Sequence, residues 1–160
     1  MNDVEILLVE DNHGDVRMVE RAFEQRDIPC ELTVVQTGDE ALDVLYRRGE
    51  FADASRPDLV LLDLNLPGTS GLSVLETVKS DETLKRVPVV VLTSAQSGTD
   101  LNRVYDEHAN ACLTKPVDPT EFADSIDSFV EFWAATATLP DRNDDSLPRD
   151  GRSKTGPTER

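Results

Sequence analysis

Short apolar runs alternate with helical stripes along this chain. Val4 to Val9, Leu32 to Val35, Leu59 to Leu62, Pro88 to Leu92 and Ala111 to Thr114 have the length of strands and are rich in valine and leucine. Between them apolar residues return every three or four positions: Val16, Val19, Ala22 and Phe23, then Ala41, Leu42 and Leu45, then Leu72, Leu75 and Val78. Leu101, Val104, Tyr105 and His108 share a fourth helical arc. Polar residues mark the helix starts. Thr37-Gly38-Asp39-Glu40 is a capping box. Asp118-Pro119-Thr120-Glu121 supplies an N-cap, a proline at the first helical position and an acid at the third. The last helix places Phe122, Ile126, Phe129 and Trp133 on one stripe, with Phe132 off it and Val130 flanking the other side. That apolar arc is wider than one core contact needs.

Five strand–helix units predict an α/β fold whose parallel sheet is covered on both faces. Right-handed crossovers at this chain length favour a flavodoxin-like (βα)5 doubly wound sheet in the order 2-1-3-4-5. From about Thr136 the periodicity stops. Pro140, Pro148, Pro157, two glycines and mixed charges follow without aromatics. Such a stretch buries too little apolar surface to offset its ordering entropy. Residues 136–160 are therefore expected to form a disordered tail behind a single domain of residues 3–135.

Charge narrows the function. The 160 residues carry a formal net charge of −16, from 19 Asp and 13 Glu against 12 Arg and 4 Lys. The longest basic runs are Arg47-Arg48 and Lys85-Arg86, so direct DNA binding is not expected. Self-repulsion at this charge is relieved by salt, which points to a salt-rich, halophilic cytoplasm. No apolar stretch is long enough to span a membrane, and the acidic N-terminus does not read as a signal peptide. Cys30 and Cys112 fall on opposite edges of the expected sheet. Four inter-strand steps separate them by roughly 19 Å, beyond the reach of a disulfide. Free thiols fit a reducing compartment.

The chemistry gathers at the C-terminal tips of the strands, where open α/β sheets hold ligands. The tips carry Glu10-Asp11, Asp63, Thr93 and Lys115. Carboxylates from Glu10, Asp11 and Asp63, with the backbone carbonyl of Asn65, suit Mg²⁺, a hard cation that takes oxygen ligands. Asp63 is the candidate nucleophile for a phosphoryl group, Lys115 a point charge for a phosphoryl oxygen, and Thr93 a hydroxyl donor. Each residue alone has an ordinary reading as a turn former, cap or surface side chain. Their common placement at the tips of one sheet favours the functional reading.

These residues resemble the receiver domain of two-component response regulators. Glu10-Asp11, Asp63, Thr93 and Lys115-Pro116 match that family's acidic pair, phospho-accepting aspartate, switch hydroxyl and lysine. Glu10-Asp11-Asn12, Gly14-Asp15, Arg56-Pro57-Asp58, Asp63-Leu64-Asn65-Leu66-Pro67, Phe132-Trp133 and Thr138-Leu139-Pro140 look like the small stand-alone regulators that partner phytochrome-type histidine kinases. The resemblance covers about residues 3 to 140. It implies a cis peptide at Lys115-Pro116, and a homodimer through the fourth helix, fifth strand and fifth helix that uses Tyr105 and Phe132. Two positions depart from the pattern. Cys112 stands where the family usually has an aromatic, so the ring that rotates during switching is missing. His13 stands where the subgroup often has proline.

The resemblance implies a cytoplasmic phosphorelay receiver, not an enzyme beyond slow autodephosphorylation. It would take a phosphoryl group on Asp63 from a sensor histidine kinase and signal by protein contact. The alternative is an Asp-nucleophile phosphohydrolase on a similar fold. Such enzymes carry a second acid two residues after the first, where this chain has Asn65, which cannot serve as a general acid. A flavin carrier would need a phosphate-cradling loop after the first strand, where Glu10-Asp11 would repel phosphate.

Overall fold

The computed structural model describes residues 4–25, 29–94 and 101–140. Five strands, β1 (Val4–Val9), β2 (Cys30–Val35), β3 (Leu59–Asp63), β4 (Val89–Ser94) and β5 (Ala111–Lys115), alternate with α1 (His13–Glu24), α2 (Gly38–Tyr46), α3 (Gly71–Ser80), α4 (Leu101–Asp106) and α5 (Pro119–Val130). The strands form one parallel sheet in the order β2-β1-β3-β4-β5, as the alternation of patterns predicts. Cys30 and Cys112 lie on its two edge strands, and neither is in a disulfide.

Successive side chains in a strand point to opposite faces, and this alternation divides the core in two. Leu7, Val9, Val60, Leu62, Val89 and Val91 pack under α2, α3 and α4, against Val44, Leu45, Val74, Leu75, Val78 and Val104. Ile6, Leu8, Leu59, Leu61, Val90 and Leu92 pack under α1 and α5, against Val19, Ala22, Phe23, Phe122, Ile126 and Phe129. The three inner strands are buried on both faces, which explains their nearly unbroken apolar sequence. On edge strand β2 half-buried and exposed positions alternate instead, and only Val35 at its end is buried.

Three caps fix the helices that reach the site. Asn12 accepts a hydrogen bond from the Asp15 amide at the start of α1, Thr37 from Glu40 at α2, and Ser70 from Ser73 at α3. At the other end of the chain α5 runs into a π-helical segment, Glu131–Thr136, which the sequence pattern reads as a plain continuation of the helix. There Trp133 stays against the α1/α5 core and Phe132 faces outward, 51% exposed. Their rings meet edge to face with centroids 5.2 Å apart. Of the tail expected to be disordered, residues 141–160 lie outside the described residues. No described helix is long and apolar enough to cross a membrane.

Candidate functional site

The alternation that divides the core also sorts the functional side chains. Glu10, Asp63 and Lys115 follow Leu8, Leu61 and Leu113 at the even spacing of the face covered by α1 and α5. Thr93 follows Val91 and belongs to the opposite face, toward α4. Asp63 and Thr93 are each 3% exposed and Glu10 is 1% exposed, whereas Asp11 is exposed.

Lys115 is the hub. Its Nζ donates to Glu10 Oε1 at 2.8 Å, Asp15 Oδ2 at 2.9 Å and Asp63 Oδ2 at 3.0 Å. These three bonds use all three donors of an ammonium. Burial opposes the lysine's charge, but the hydrogen bonds it donates to Glu10, Asp15 and Asp63 outweigh this and raise its pKa. The remaining carboxylate oxygens order the loops that leave the strands. Glu10 Oε2 accepts from the Asn12 amide at 3.1 Å, and Asp63 Oδ1 accepts from the Asn65 amide at 2.9 Å.

Glu10 is strongly perturbed. Burial, then its hydrogen bond with Asp63, push its pKa up to about 8, and Lys115 offsets only part of this. Oxygens of Glu10, Asp11 and Asp63 lie within 4.8 Å of one another. Hard oxygen donors at that spacing, with charge repulsion left to relieve, fit a divalent cation. Asn65 lies in the β3–α3 loop, its amide tied to Asp63.

A glycine holds that loop in place. A Cβ on Gly71 would come 2.5 Å from the Asp63 carbonyl oxygen and 2.6 Å from Leu64 Cα, so only glycine lets α3 pack this close to the backbone that carries Asp63. Thr69, in the same loop, donates its hydroxyl to Asp39 of α2 at 2.7 Å.

The structure corrects the sequence reading at Lys115-Pro116. No peptide bond among the described residues is cis, so this one is trans. Proline narrows the preference for trans to about 0.5–1 kcal/mol without abolishing it. The long lysine side chain reaches all three carboxylates from the trans backbone. At the position of the missing aromatic, Cys112 is partly buried against the α4-side core, and its thiol is hydrogen-bonded with Thr93. Burial raises the thiol's pKa and the Thr93 bond works against that. His13 is the exposed first residue of α1. Tyr105 and Phe132, 49% and 51% exposed, remain on the surface, as do Leu101 and Val117.

Asp15 is the site residue that the chemistry of the strand tips does not find. It sits in the first turn of α1, where an acid is expected simply for the helix dipole. Its sequence signal, three residues after the Asn12 cap, marks a helix start and says nothing of a lysine 100 positions away.

Comparison with known proteins agrees with this geometry. The family model for the response regulator receiver domain matches residues 6–127. Response regulator Rcp1 of Synechocystis sp. is 39% identical over 135 residues, 84% of this chain and 92% of that protein. The probable methanogenesis regulatory protein FilR2 of Methanothrix harundinacea is 40% identical over 128 residues, 80% of this chain and 82% of that protein. The crystal structure of the phosphorylated cyanobacterial phytochrome response regulator RcpA superposes with a TM-score of 0.82 at 45% identity, covering 87% of this chain and 99% of that one. The Mn²⁺-bound form of Rcp1 gives a TM-score of 0.83 at 38% identity, covering 86% of this chain and 99% of that one.

Proposed function

This chain belongs to the response regulator receiver domain family, and from that membership we propose that Asp63 accepts a phosphoryl group from a sensor histidine kinase, with Mg²⁺ bound by Glu10, Asp11 and Asp63 and by the carbonyl of Asn65. The observation that carries this reading is the position of Lys115. Its ammonium lies 3.0 Å from Asp63 Oδ2, beside three carboxylates whose oxygens lie within 4.8 Å of one another. One Asp63 oxygen attacks phosphorus, the bond from phosphorus to the donor breaks, and the donor leaves with that electron pair. Lys115 meets the negative charge of the incoming group, and a divalent cation held by Glu10, Asp11 and Asp63 would neutralise the rest. Thr93 then donates its hydroxyl to the phosphoryl oxygens. That draws β4 toward the site and biases the α4 face between two arrangements. Cys112 moves with Thr93 in place of an aromatic ring.

Acetyl phosphate with MgCl₂ should label the wild-type chain to about one phosphoryl group per molecule, and EDTA should prevent it. Steady turnover of p-nitrophenyl phosphate, without accumulation of labelled protein, would instead favour the phosphohydrolase reading.

The finer assignments follow from the same reading. The kinase is phytochrome-like, by analogy with the relatives named as phytochrome response regulators. Output is by protein contact in the cytoplasm, without DNA binding, in keeping with the charge of −16. Residues 3–135 are the receiver and 136–160 a tail. Leu101, Tyr105, Val117 and Phe132 expose apolar surface on α4, in the loop after β5 and past α5, and a homodimer through α4, β5 and α5 would cover it. Phe132→Glu with Tyr105→Glu should then elute as a monomer under conditions where wild type elutes as a dimer, and identical elution of the two would remove this interface. A salt-rich cytoplasm requires that added KCl raise the melting temperature, and a fall would count against it.

A further inference from the structure

Lys115 draws on two carboxylates that a divalent cation at the acidic triad would also use. Two of the three carboxylates on the ammonium, Glu10 and Asp63, also belong to the acidic triad completed by Asp11. The third, Asp15, does not. It comes from α1, the helix that covers this face of the sheet. Its backbone is fixed, because its amide donates to Asn12 Oδ1 at 2.9 Å. A Cβ on Gly14 would stand 3.2 Å from Asn12 Oδ1, a tight contact with the capping side chain. The Asp15 side chain is one-quarter exposed, and its Oδ2 holds Lys115 Nζ as closely as the buried pair does. An acid at this helix position has a sufficient role in the helix dipole without a partner. Reaching a cation from the end of the fifth strand is an additional feature.

We propose that Asp15 is a positioning residue that moors the Lys115 ammonium outside the metal-binding triad, so that the lysine yields Glu10 and Asp63 without leaving the pocket. The inference rests on the functional reading above and deepens it. Two positive charges cannot both take full advantage of the Glu10 and Asp63 oxygens. With Asp15 present, the ammonium keeps a counter-ion as those oxygens turn away. Without it, Lys115 has only Glu10 and Asp63, holds them harder and opposes the cation. Asp15 thus favours metal binding without being a ligand, and it keeps Lys115 within reach of Asp63.

The test is a double-mutant cycle read as Mg²⁺ affinity by titration calorimetry on the full chain. Asp15→Asn should weaken Mg²⁺ binding by about fivefold or more. Asp15→Glu, which restores the charge, should recover much of that loss. In a Lys115→Met background, Asp15→Asn should change the affinity by less than about twofold. Equal losses in both backgrounds would overturn the proposal, because Asp15 would then act on the cation directly. No loss in either background would overturn it too, making the Asp15–Lys115 bond incidental. Wild-type protein that binds no Mg²⁺ would sink both this inference and the functional reading, whereas normal binding indifferent to Asp15 would sink the inference alone.

Discussion

Asp63→Asn is expected to take up no phosphoryl group from acetyl phosphate or from a histidine kinase, under conditions that label the wild type fully. The substitution is nearly isosteric and the side chain is 3% exposed, so the fold has little reason to change. The amide oxygen can still accept from the Asn65 amide in the place of Oδ1. What is lost is the anionic oxygen now held by Lys115 at 3.0 Å, and with it the negative charge that the proposed transfer needs on its nucleophile. A neutral amide is a poor nucleophile, and its product would not be a stable acyl phosphate. Removing this charge ends the ion pair with Lys115, which keeps Glu10 and Asp15 as its partners. Unchanged circular dichroism with zero label is the expected pair of results. Label at the wild-type level in the variant would mean that another residue accepts the phosphoryl group.

Mg²⁺ affinity should climb steeply with pH and then level off. Burial, and next the hydrogen bond with Asp63, raise the Glu10 pKa to about 8, so near neutral pH the cation-free site holds a proton on this carboxyl. A metal ligand must be deprotonated, and binding has to eject that proton. The apparent affinity should therefore rise on the order of fifty-fold between about pH 6 and pH 8, and flatten above about pH 9. Calorimetry at neutral pH in buffers of different ionisation heat should count close to one proton released. Stability carries the same linkage. The folded chain keeps a proton on Glu10 over the range between its ordinary 4.5 and about 8, where the unfolded chain has lost it. This contribution is complete below the unfolded value and disappears as pH rises through about 8, so the cation-free protein loses stability from this group on the alkaline side. An affinity that stays level from about pH 6 to pH 8 would show that Glu10 is already ionised or is not a ligand.

The elements were legible because two periodicities carry them, and both answer to burial. Strands of the double-faced sheet read as valine and leucine runs, and capped helices read as stripes. β2 begins at Cys30, before its apolar stretch, because the strand is extended by pairing with β1 from Val4↔Cys30 onward, and no property of Cys30 or Glu31 announces this. The placement of Glu10, Asp63, Thr93 and Lys115 at the strand ends was legible because a parallel sheet delivers all its C-terminal tips to one edge. Asp15 and Gly71 were not. Each acts by close approach to another element, Asp15 to Lys115 and Gly71 to the Asp63 backbone, and close approach leaves no period. The cis peptide came from resemblance rather than from any local physical demand, and the trans backbone serves the lysine as well.

The central claim is that one carboxylate, buried at the end of the third strand, becomes an acyl phosphate. Acyl phosphates are reduced by borohydride to an alcohol, which marks the aspartate that carried the group. Wild-type protein phosphorylated in Mg²⁺, reduced with borohydride, digested and sequenced by mass spectrometry should carry that mark at Asp63 and at no other aspartate. A mark on Asp11, Asp15 or a tail aspartate, or label that resists borohydride, would contradict the account.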